Sequence, residues 1–178
     1  MVPPLVEQAL ALAERTGFEK SCSPETGRLL QVLAGQRGRG RVAEIGAGCG
    51  VGSAWLLAGL DPEVPFLTVE PDAGRAAAVA ELLACDANAL VLHGEWAAML
   101  PAEAPFDLLF ADGGRSKERE ELLGLLAPGG TLVMDDLTPG REGHRDPVRG
   151  LWLGHPRLAA VELQVSSREA VIVGTLQA

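Results

Sequence analysis

Cysteine is scarce in this chain, and no apolar run is long. The three cysteines, Cys22, Cys49 and Cys85, are far apart and form no C-x-x-C pair. This spacing disfavours a disulfide framework or a zinc site and favours a reducing, cytoplasmic environment. No apolar run reaches the roughly 20 residues that a membrane helix requires, and the first residues lack the basic and apolar regions of a signal peptide. We therefore expect no membrane association.

Positive charge is also in short supply. The chain has 15 lysine and arginine residues against 24 aspartate and glutamate residues, which gives a net charge of −9. An acidic surface repels phosphate backbones, so we expect no nucleic-acid partner. The 178 residues, 47% of them hydrophobic, are enough for one domain with a core and leave little room for a second.

Glycine, by contrast, is concentrated in one short stretch. Residues 42–53 read VAEIGAGCGVGS, with four alternating glycines after an apolar run. Because glycine has no Cβ, this spacing allows a sharp turn and a close approach to a nucleotide, and the helix that follows directs free N–H groups into the same crevice. Val51 and Ser53 stand where the dinucleotide pattern G-x-G-x-x-G needs its third glycine, and no G-K-[ST] loop is present. The stretch predicts a nucleotide pocket that is not built for NAD, and the alternative is a purely structural turn.

Hydrophobic periodicity predicts alternating helices and strands. Helices are predicted at residues 5–15, 24–33, 52–59, 72–85, 95–100 and 116–126, and strands at 41–45, 66–70, 89–92, 106–111 and 131–134. A further helix is predicted from Pro147 to Leu153, and the short link between two last strands, 160–165 and 170–176, favours an antiparallel hairpin. We therefore predict an α/β fold with a doubly wound sheet. Residues 41–178 would form this domain and residues 1–40 an N-terminal helical extension, within a single domain overall.

The glycine motif, E-x-G-x-G-x-G, and the order of elements resemble the class I S-adenosylmethionine-dependent methyltransferases. The resemblance covers residues 24–178. It implies a Rossmann-like, seven-stranded sheet that is mostly parallel with the last strand antiparallel, and it implies S-adenosylmethionine as the cofactor. The cofactor-binding residues that it implies are Glu44, Gly46, Ala47, Gly48, Ser53, Glu70, Pro71, Gly94, Glu95, Trp96, Asp112 and Gly113.

Two of these residues also have a structural interpretation. Glu70 ends a predicted strand, where a carboxylate can accept two hydrogen bonds from ribose hydroxyls, but it could instead be a solvated acid at a helix start. Trp96 falls where the family contacts adenine and could stack on the base, or it could be a core tryptophan. The glycine motif upstream favours ribose for Glu70 and leaves Trp96 open.

Three acidic residues follow two strands that are neighbours in this topology. Asp112 follows residues 106–111, and Asp135 and Asp136 follow residues 131–134. Carboxylates that converge repel one another unless protons or a cation neutralise them, and hard oxygen ligands suit Mg²⁺ or Ca²⁺. The alternative is that Asp135 and Asp136 cap a turn.

This arrangement resembles the catechol O-methyltransferase-like family, whose metal ligands are an Asp and an Asp-Asn pair. Asp112 and Asp135 match that set, while Asp136 stands where the family has asparagine. The resemblance implies O-methylation of a small-molecule acceptor, with a divalent cation that holds the acceptor oxygens and lowers the pKa of the attacking hydroxyl. It also implies a homodimer.

The general base is left open by the sequence. The family carries a lysine three residues after the first Asp, but Arg115 stands there and cannot accept a proton. Besides Asp112, the catalytic candidates are Lys117 and His144. Two extra residues on the predicted helix turn a side chain to the opposite side, so we expect Lys117 to be a surface lysine. His144 lies in a stretch with proline and glycine, 138–147, which we expect to be a mobile loop over the site.

Three other functions stay open at this stage. A methyltransferase could work without a metal, with Asp112 in a different role. A binding protein with the methyltransferase fold could have lost its base, as the arginine at 115 suggests. An NAD-dependent oxidoreductase is disfavoured by Val51. Methylation of amino groups by the [ND]-P-P-[YF] motif is disfavoured because residues 111–114 are Ala-Asp-Gly-Gly.

Overall fold

The structure is a computed structural model that describes residues 2–113, 115–140 and 146–177. His144, one of the candidate bases, lies outside these residues, as does half of the predicted mobile loop, residues 141–145. No helix within the described ranges is both long enough and apolar enough to cross a bilayer.

Helices and strands alternate through most of the chain. The helices are α1 (Pro4–Thr16), α2 (Pro24–Ala34), α3 (Val51–Gly59), α4 (Ala73–Leu82), α5 (Trp96–Met99) and α6 (Pro147–Trp152). The strands are β1 (Val42–Ile45), β2 (Phe66–Glu70), β3 (Ala89–His93), β4 (Phe106–Ala111), β5 (Leu126–Leu137), β6 (Leu158–Gln164) and β7 (Ala170–Leu176). Short 3₁₀ turns occupy Leu100–Ala102, Ser116–Glu118 and Glu120–Leu125.

All seven strands form one sheet in the order β3-β2-β1-β4-β5-β7-β6. Pairs among β1 to β5 are parallel, and β7 lies antiparallel between β5 and β6. The prediction of a doubly wound, mostly parallel sheet with an antiparallel last strand is confirmed. The order reverses between β1 and β4, and a crevice opens at such a reversal.

Successive residues of the central strands face two separate cores. In β1, Val42 belongs to one apolar cluster and Ala43 to the other, which explains why these strands are apolar on both faces. The first core also contains Val6 of α1 and Leu30 of α2. The helices predicted as an extension therefore pack into the same core as the sheet. The second core contains Trp152 of α6 and the leucines of the last 3₁₀ turn.

The segment after β4 differs from its prediction. A continuous α-helix was expected at residues 116–126, but the chain forms two 3₁₀ turns separated by Arg119, whose backbone is extended (φ −114°, ψ 109°). The buried indole of Trp152 donates its N–H to the carbonyl of Lys117 at 2.6 Å. In an α-helix that carbonyl would accept an intrahelical hydrogen bond. Here the tertiary hydrogen bond from Trp152 replaces it, and the α-helix that the periodicity predicts does not form.

Candidate active site

A cavity of about 1040 Å³ lies at the point where the strand order reverses. Its walls come from the segment 17–22 after α1, the glycine turn after β1, the ends of β2 and β3, and the residues that follow β4. The predicted cofactor residues that line it are Glu44, Gly46, Ala47, Gly48, Glu70, Pro71, Gly94, Glu95, Trp96, Asp112 and Gly113. Their contact with a cofactor stays a prediction, which this common wall makes possible.

The glycine turn has a backbone that only glycine adopts easily. Gly46, Gly48 and Gly50 have φ angles of +91°, +54° and +82°, in the left-handed range that penalises a Cβ. Gly46 also lies against the loop after β4, since a Cβ at this position would be 2.5 Å from the Cα of Gly113. The turn therefore brings bare backbone to the cavity wall from two neighbouring strands.

Glu44 supports the turn from beneath. Its carboxylate is buried and accepts hydrogen bonds from the hydroxyl of Ser53 and, at 2.7 Å, from that of Thr68. Ser53 itself is fully buried and is not part of the cavity wall. Its hydroxyl contacts Glu44, so the structure gives Ser53 a role in holding the turn rather than a position beside a ligand. Burial raises the pKa of Glu44 to about 7, although the two hydroxyl bonds act in the opposite direction.

Glu44→Gln changes how stability depends on pH. Because the folded pKa of Glu44 lies above its unfolded value, the wild-type protein loses stability as pH rises from about 4.5 to 7, by about 3 kcal/mol in total. The glutamine variant lacks this loss, so we expect its free energy of unfolding relative to wild type to rise by that amount across the window. Urea unfolding at several pH values measures it. Glu14→Gln, at an exposed position of α1, is the control; an equal change there would contradict the assignment to Glu44.

Glu70 joins the glycine turn to the end of β2. One carboxylate oxygen accepts the N–H of Gly48 at 2.9 Å, and the other accepts the N–H of Asp72 and the guanidinium of Arg75, at 3.0 and 2.8 Å. The side chain of Glu70 is only 4% exposed. The acid that caps α4 is Asp72, which accepts the N–H of Arg75 at 2.9 Å. The alternative of a solvated acid at the helix start therefore describes Asp72, while Glu70 faces the cavity.

Phe18 and Arg75 are cavity residues that sequence analysis missed. Arg75 lies with its guanidinium over the ring of Phe18, 5.6 Å from the centroid. Its position three residues after Asp72, a spacing at which acidic and basic side chains meet at a helix start, is a signal that could have found it. Phe18 follows the end of α1, and nothing in its local sequence indicates that this segment returns to the glycine turn.

The surroundings of Trp96 are compatible with both interpretations, a core tryptophan and a residue that stacks on adenine. It is half-buried and packs against the second core, yet it also lines the cavity. Arg119 lies 5.8 Å from the centroid of its ring system. A base could stack on the remaining exposed surface of the indole.

The three predicted acids converge, as expected from the topology. Asp112, Asp135 and Asp136 each offer an oxygen within 4.8 Å of the others. The ammonium of Lys117 lies among them, 2.7 Å from Asp135, 3.2 Å from Asp136 and 3.5 Å from Asp112. The expectation of a surface lysine is wrong: Lys117 is 8% exposed, because the 3₁₀ turn directs it inwards where an α-helix would not.

Charge within this cluster is strongly coupled. Burial would lower the pKa of Lys117, but the attraction of Asp135, Asp112 and Asp136 outweighs it and raises the pKa above its ordinary value. Burial and the charge of Asp135 raise the pKa of Asp112 above its ordinary value, while the charge of Lys117 acts in the opposite direction. A lysine held in its protonated form cannot accept a proton, which weakens it as a general base. Arg115, at the family's lysine position, points outwards and pairs with Glu118 at 2.9 Å.

A divalent cation fits this cluster poorly. Lys117 already contacts one oxygen of each acid, so a cation at the centre of the cluster would have to displace the ammonium or lie beside it. The second oxygen of Asp135 has no hydrogen-bond partner among the described residues, but Asp135 is 1% exposed and does not line the cavity. With Lys117 in this position, a positive charge already lies at the centre of the cluster, and its repulsion disfavours a metal ion there.

Comparison with known proteins identifies the family. A family profile described as a methyltransferase domain matches residues 43–137, more than half of the chain. A curated protein from Mycobacteroides abscessus, provisionally named an O-methyltransferase, is 33% identical over 127 residues, which are 66% of this chain and 59% of the relative. The chain thus spans less than two thirds of the length of this curated relative.

Solved structures share the fold over nearly the whole chain. The O-methyltransferase TomG from Streptomyces achromogenes, described as involved in tomaymycin synthesis and solved with S-adenosylmethionine, has a TM-score of 0.82 and 22% identity over 100% of this chain and 92% of its own. An O-methyltransferase from Bacillus cereus, solved with S-adenosylhomocysteine, has a TM-score of 0.82 and 21% identity over 99% and 92%. At these identities the likeness shows the fold. The profile match assigns the chain to the methyltransferase-domain family.

Proposed function

We propose that this chain transfers a methyl group from S-adenosylmethionine to a hydroxyl oxygen of a small molecule. The observation that carries the proposal is the position of Glu70. It is a cavity carboxylate tied to Gly48 of the glycine turn, while Asp72 takes over the capping of α4. A family member with this arrangement has the parts that a nucleoside cofactor requires.

The parts of the cofactor have distinct partners in the cavity. The glycine turn and the first N–H groups of α3 would face its polar groups. Glu70 would accept hydrogen bonds from the ribose hydroxyls, and Trp96 would stack on adenine. Asp112 and Gly113, on the β4 side of the crevice, would lie towards the sulfonium end and the acceptor.

The reaction itself asks for positioning more than for covalent help. The bond between the methyl carbon and the sulfonium sulfur breaks, and its electron pair stays on sulfur to give S-adenosylhomocysteine. The acceptor oxygen bonds to the methyl carbon and releases its proton to water, and in-line alignment lowers the barrier. The divalent cation that the sequence predicts is not part of this proposal, because Lys117 already contacts all three carboxylates. A small acceptor is supported by the volume of the crevice, about 1040 Å³, and by a net charge of −9, which disfavours nucleic acid.

Calorimetry with S-adenosylhomocysteine tests the cofactor, and a transfer assay with methyl-labelled S-adenosylmethionine tests the reaction. We expect binding of S-adenosylhomocysteine, no binding of NAD, and label transfer to at least one hydroxyl compound in a panel that begins with catechols. Binding of NAD in place of S-adenosylhomocysteine would overturn the proposal. Heat-denatured protein gives the background of the transfer assay.

A second candidate is a non-catalytic protein that binds the cofactor. It is favoured by the arginine at 115, where the family carries its lysine, and by the raised pKa of Lys117, which keeps that lysine protonated. Tight binding of S-adenosylhomocysteine without transfer to any acceptor would identify it.

We also propose a reducing, cytoplasmic location, as the sequence predicts, and a homodimer, as the family resemblance implies. The location is supported by Cys22, Cys49 and Cys85, which are all free thiols.

A further inference from the structure

Lys117 occupies the centre of the acids that the family resemblance assigns to a metal. We propose that the Lys117 ammonium is the resident cation of the cluster formed by Asp112, Asp135 and Asp136, in place of a divalent cation, so that methyl transfer by this chain needs no added metal. The inference rests on the proposed function for the reaction it concerns, whereas its main test measures metal binding.

The donors of Lys117 are matched by the acceptors around it. An ammonium has three N–H donors. Its nitrogen lies 2.7 Å from a carboxylate oxygen of Asp135, 3.0 Å from the backbone carbonyl of the same residue and 3.2 Å from a carboxylate oxygen of Asp136. These three contacts use the three donors, and the carboxylate of Asp112 completes the cluster at 3.5 Å.

The rest of the structure holds Lys117 in this place. Trp152, which is fully buried, donates to the carbonyl of Lys117 at 2.6 Å. On the other side of the cluster, Asp136 has a φ angle of +62°, a left-handed conformation that is uncommon for residues other than glycine. In that conformation the exposed carboxylate of Asp136 contacts Lys117. Both partners are therefore fixed by backbone features, and not by side-chain flexibility alone.

A lysine in this position and a divalent cation exclude each other. Mg²⁺ and Ca²⁺ need several carboxylate oxygens at about 2.0–2.6 Å, and one oxygen of each acid already faces the ammonium. Two positive charges on the same oxygens would repel. A divalent ion that displaced the ammonium would first have to break its 2.7 Å contact with the buried Asp135.

In this arrangement Lys117 is a positioning residue. It neutralises part of the negative charge behind the cavity wall and holds Asp112 and Asp136 at the acceptor side of the crevice. A purely structural lysine would also stabilise the fold, but only a lysine in the place of a metal would unmask a metal site on removal.

Binding of Mn²⁺ to the full-length protein is the test, because Mn²⁺ takes carboxylate oxygens as Mg²⁺ does and its electron paramagnetic resonance signal reports the free ion. We expect wild type to bind Mn²⁺ more weakly than about 1 mM. Lys117→Met should bind it more than about tenfold tighter, because the repelling charge is gone and the oxygens are free. Arg28→Met removes a positive charge at an exposed position of α2 that does not line the cavity, and should bind Mn²⁺ as wild type does.

The double variant Lys117→Met/Asp135→Asn should lose the gained affinity. Tight Mn²⁺ binding by wild type that Asp135→Asn abolishes would overturn the inference, as would a folded Lys117→Met variant with no gain. If circular dichroism finds Lys117→Met unfolded, wild type and Asp135→Asn decide the question. Weak Mn²⁺ binding by wild type that Asp135→Asn leaves unchanged then supports the inference.

Failure to bind S-adenosylhomocysteine would overturn the proposed function and leave these Mn²⁺ measurements unaffected. With an acceptor in hand, turnover unchanged by EDTA is the further expected result, and its loss would contradict the inference.

Discussion

Glu70→Ala should weaken binding of S-adenosylhomocysteine by about 100-fold or more, because two hydrogen bonds from ribose hydroxyls to a carboxylate are lost. The side chain is nearly buried at the cavity wall, so bulk water does not replace those bonds. Its second task, accepting the N–H of Gly48 at 2.9 Å, adds to the effect because the glycine turn then loses an anchor. Calorimetric titration of the purified variant measures the change.

Two further variants separate the role of Glu70 from general damage. Glu81→Ala makes the same chemical change at an exposed position near the end of α4 and should bind as wild type does. Arg75→Ala removes the guanidinium from one oxygen of Glu70 and leaves the bond to Gly48 intact. Because Arg75 is 39% exposed, we expect a change of less than about threefold. Wild-type affinity in a folded Glu70→Ala variant would remove the ribose assignment.

The parts of the site that sequence analysis predicted are those that depend on local backbone chemistry. The glycines of the turn are needed where φ is positive, whatever packs around them. Glu70 and Asp112 stand at the carboxyl ends of apolar runs. In a parallel sheet ligands bind beyond these ends, so the runs alone indicate which residues face the crevice. The sheet order and the antiparallel last strand followed from the same runs, from the short hairpin link and from the family resemblance.

Lys117 could not be placed in this way, because its position depends on contacts far along the chain. Helical periodicity over residues 116–126 favoured an α-helix, and only the packing of Trp152, 35 residues away, replaces it with a 3₁₀ turn. The same periodicity argument therefore predicted the wrong face for the side chain. Ser53 is a related case, since its hydroxyl is used by a buried acid on the preceding strand, and the motif gives no sign of that partner.

Arg149 is the clearest example of a residue without a sequence signal. Arg149 lies in the first turn of the short helix α6, and nothing in its local sequence distinguishes it, yet its side chain is 1% exposed. It donates to Asp146 at 2.7 Å, to Glu162 of β6 at 2.7 Å and to the carbonyl of Thr138 at 2.8 Å. These partners lie at both described ends of the segment between β5 and α6 and on the edge strand of the sheet. One side chain thus fixes α6, and with it Trp152.

Arg149→Met should destabilise the protein by about 3–5 kcal/mol, because it leaves acidic partners buried or half-buried without their cation. In a chain of this size that corresponds to a fall in melting temperature of about 10 °C. Arg119→Met is the matched control: Arg119 pairs with Glu121 at 2.8 Å, but the two side chains are 50% and 61% exposed, so its loss should cost less than about 1 kcal/mol. Equal losses in the two variants, measured by urea unfolding, would mean that burial does not strengthen the Arg149 network. A larger loss of unfolding free energy in the Arg149 variant is the expected result. Because α6 carries Trp152, which donates to the carbonyl of Lys117, the stability of α6 then also affects the geometry of the carboxylate cluster.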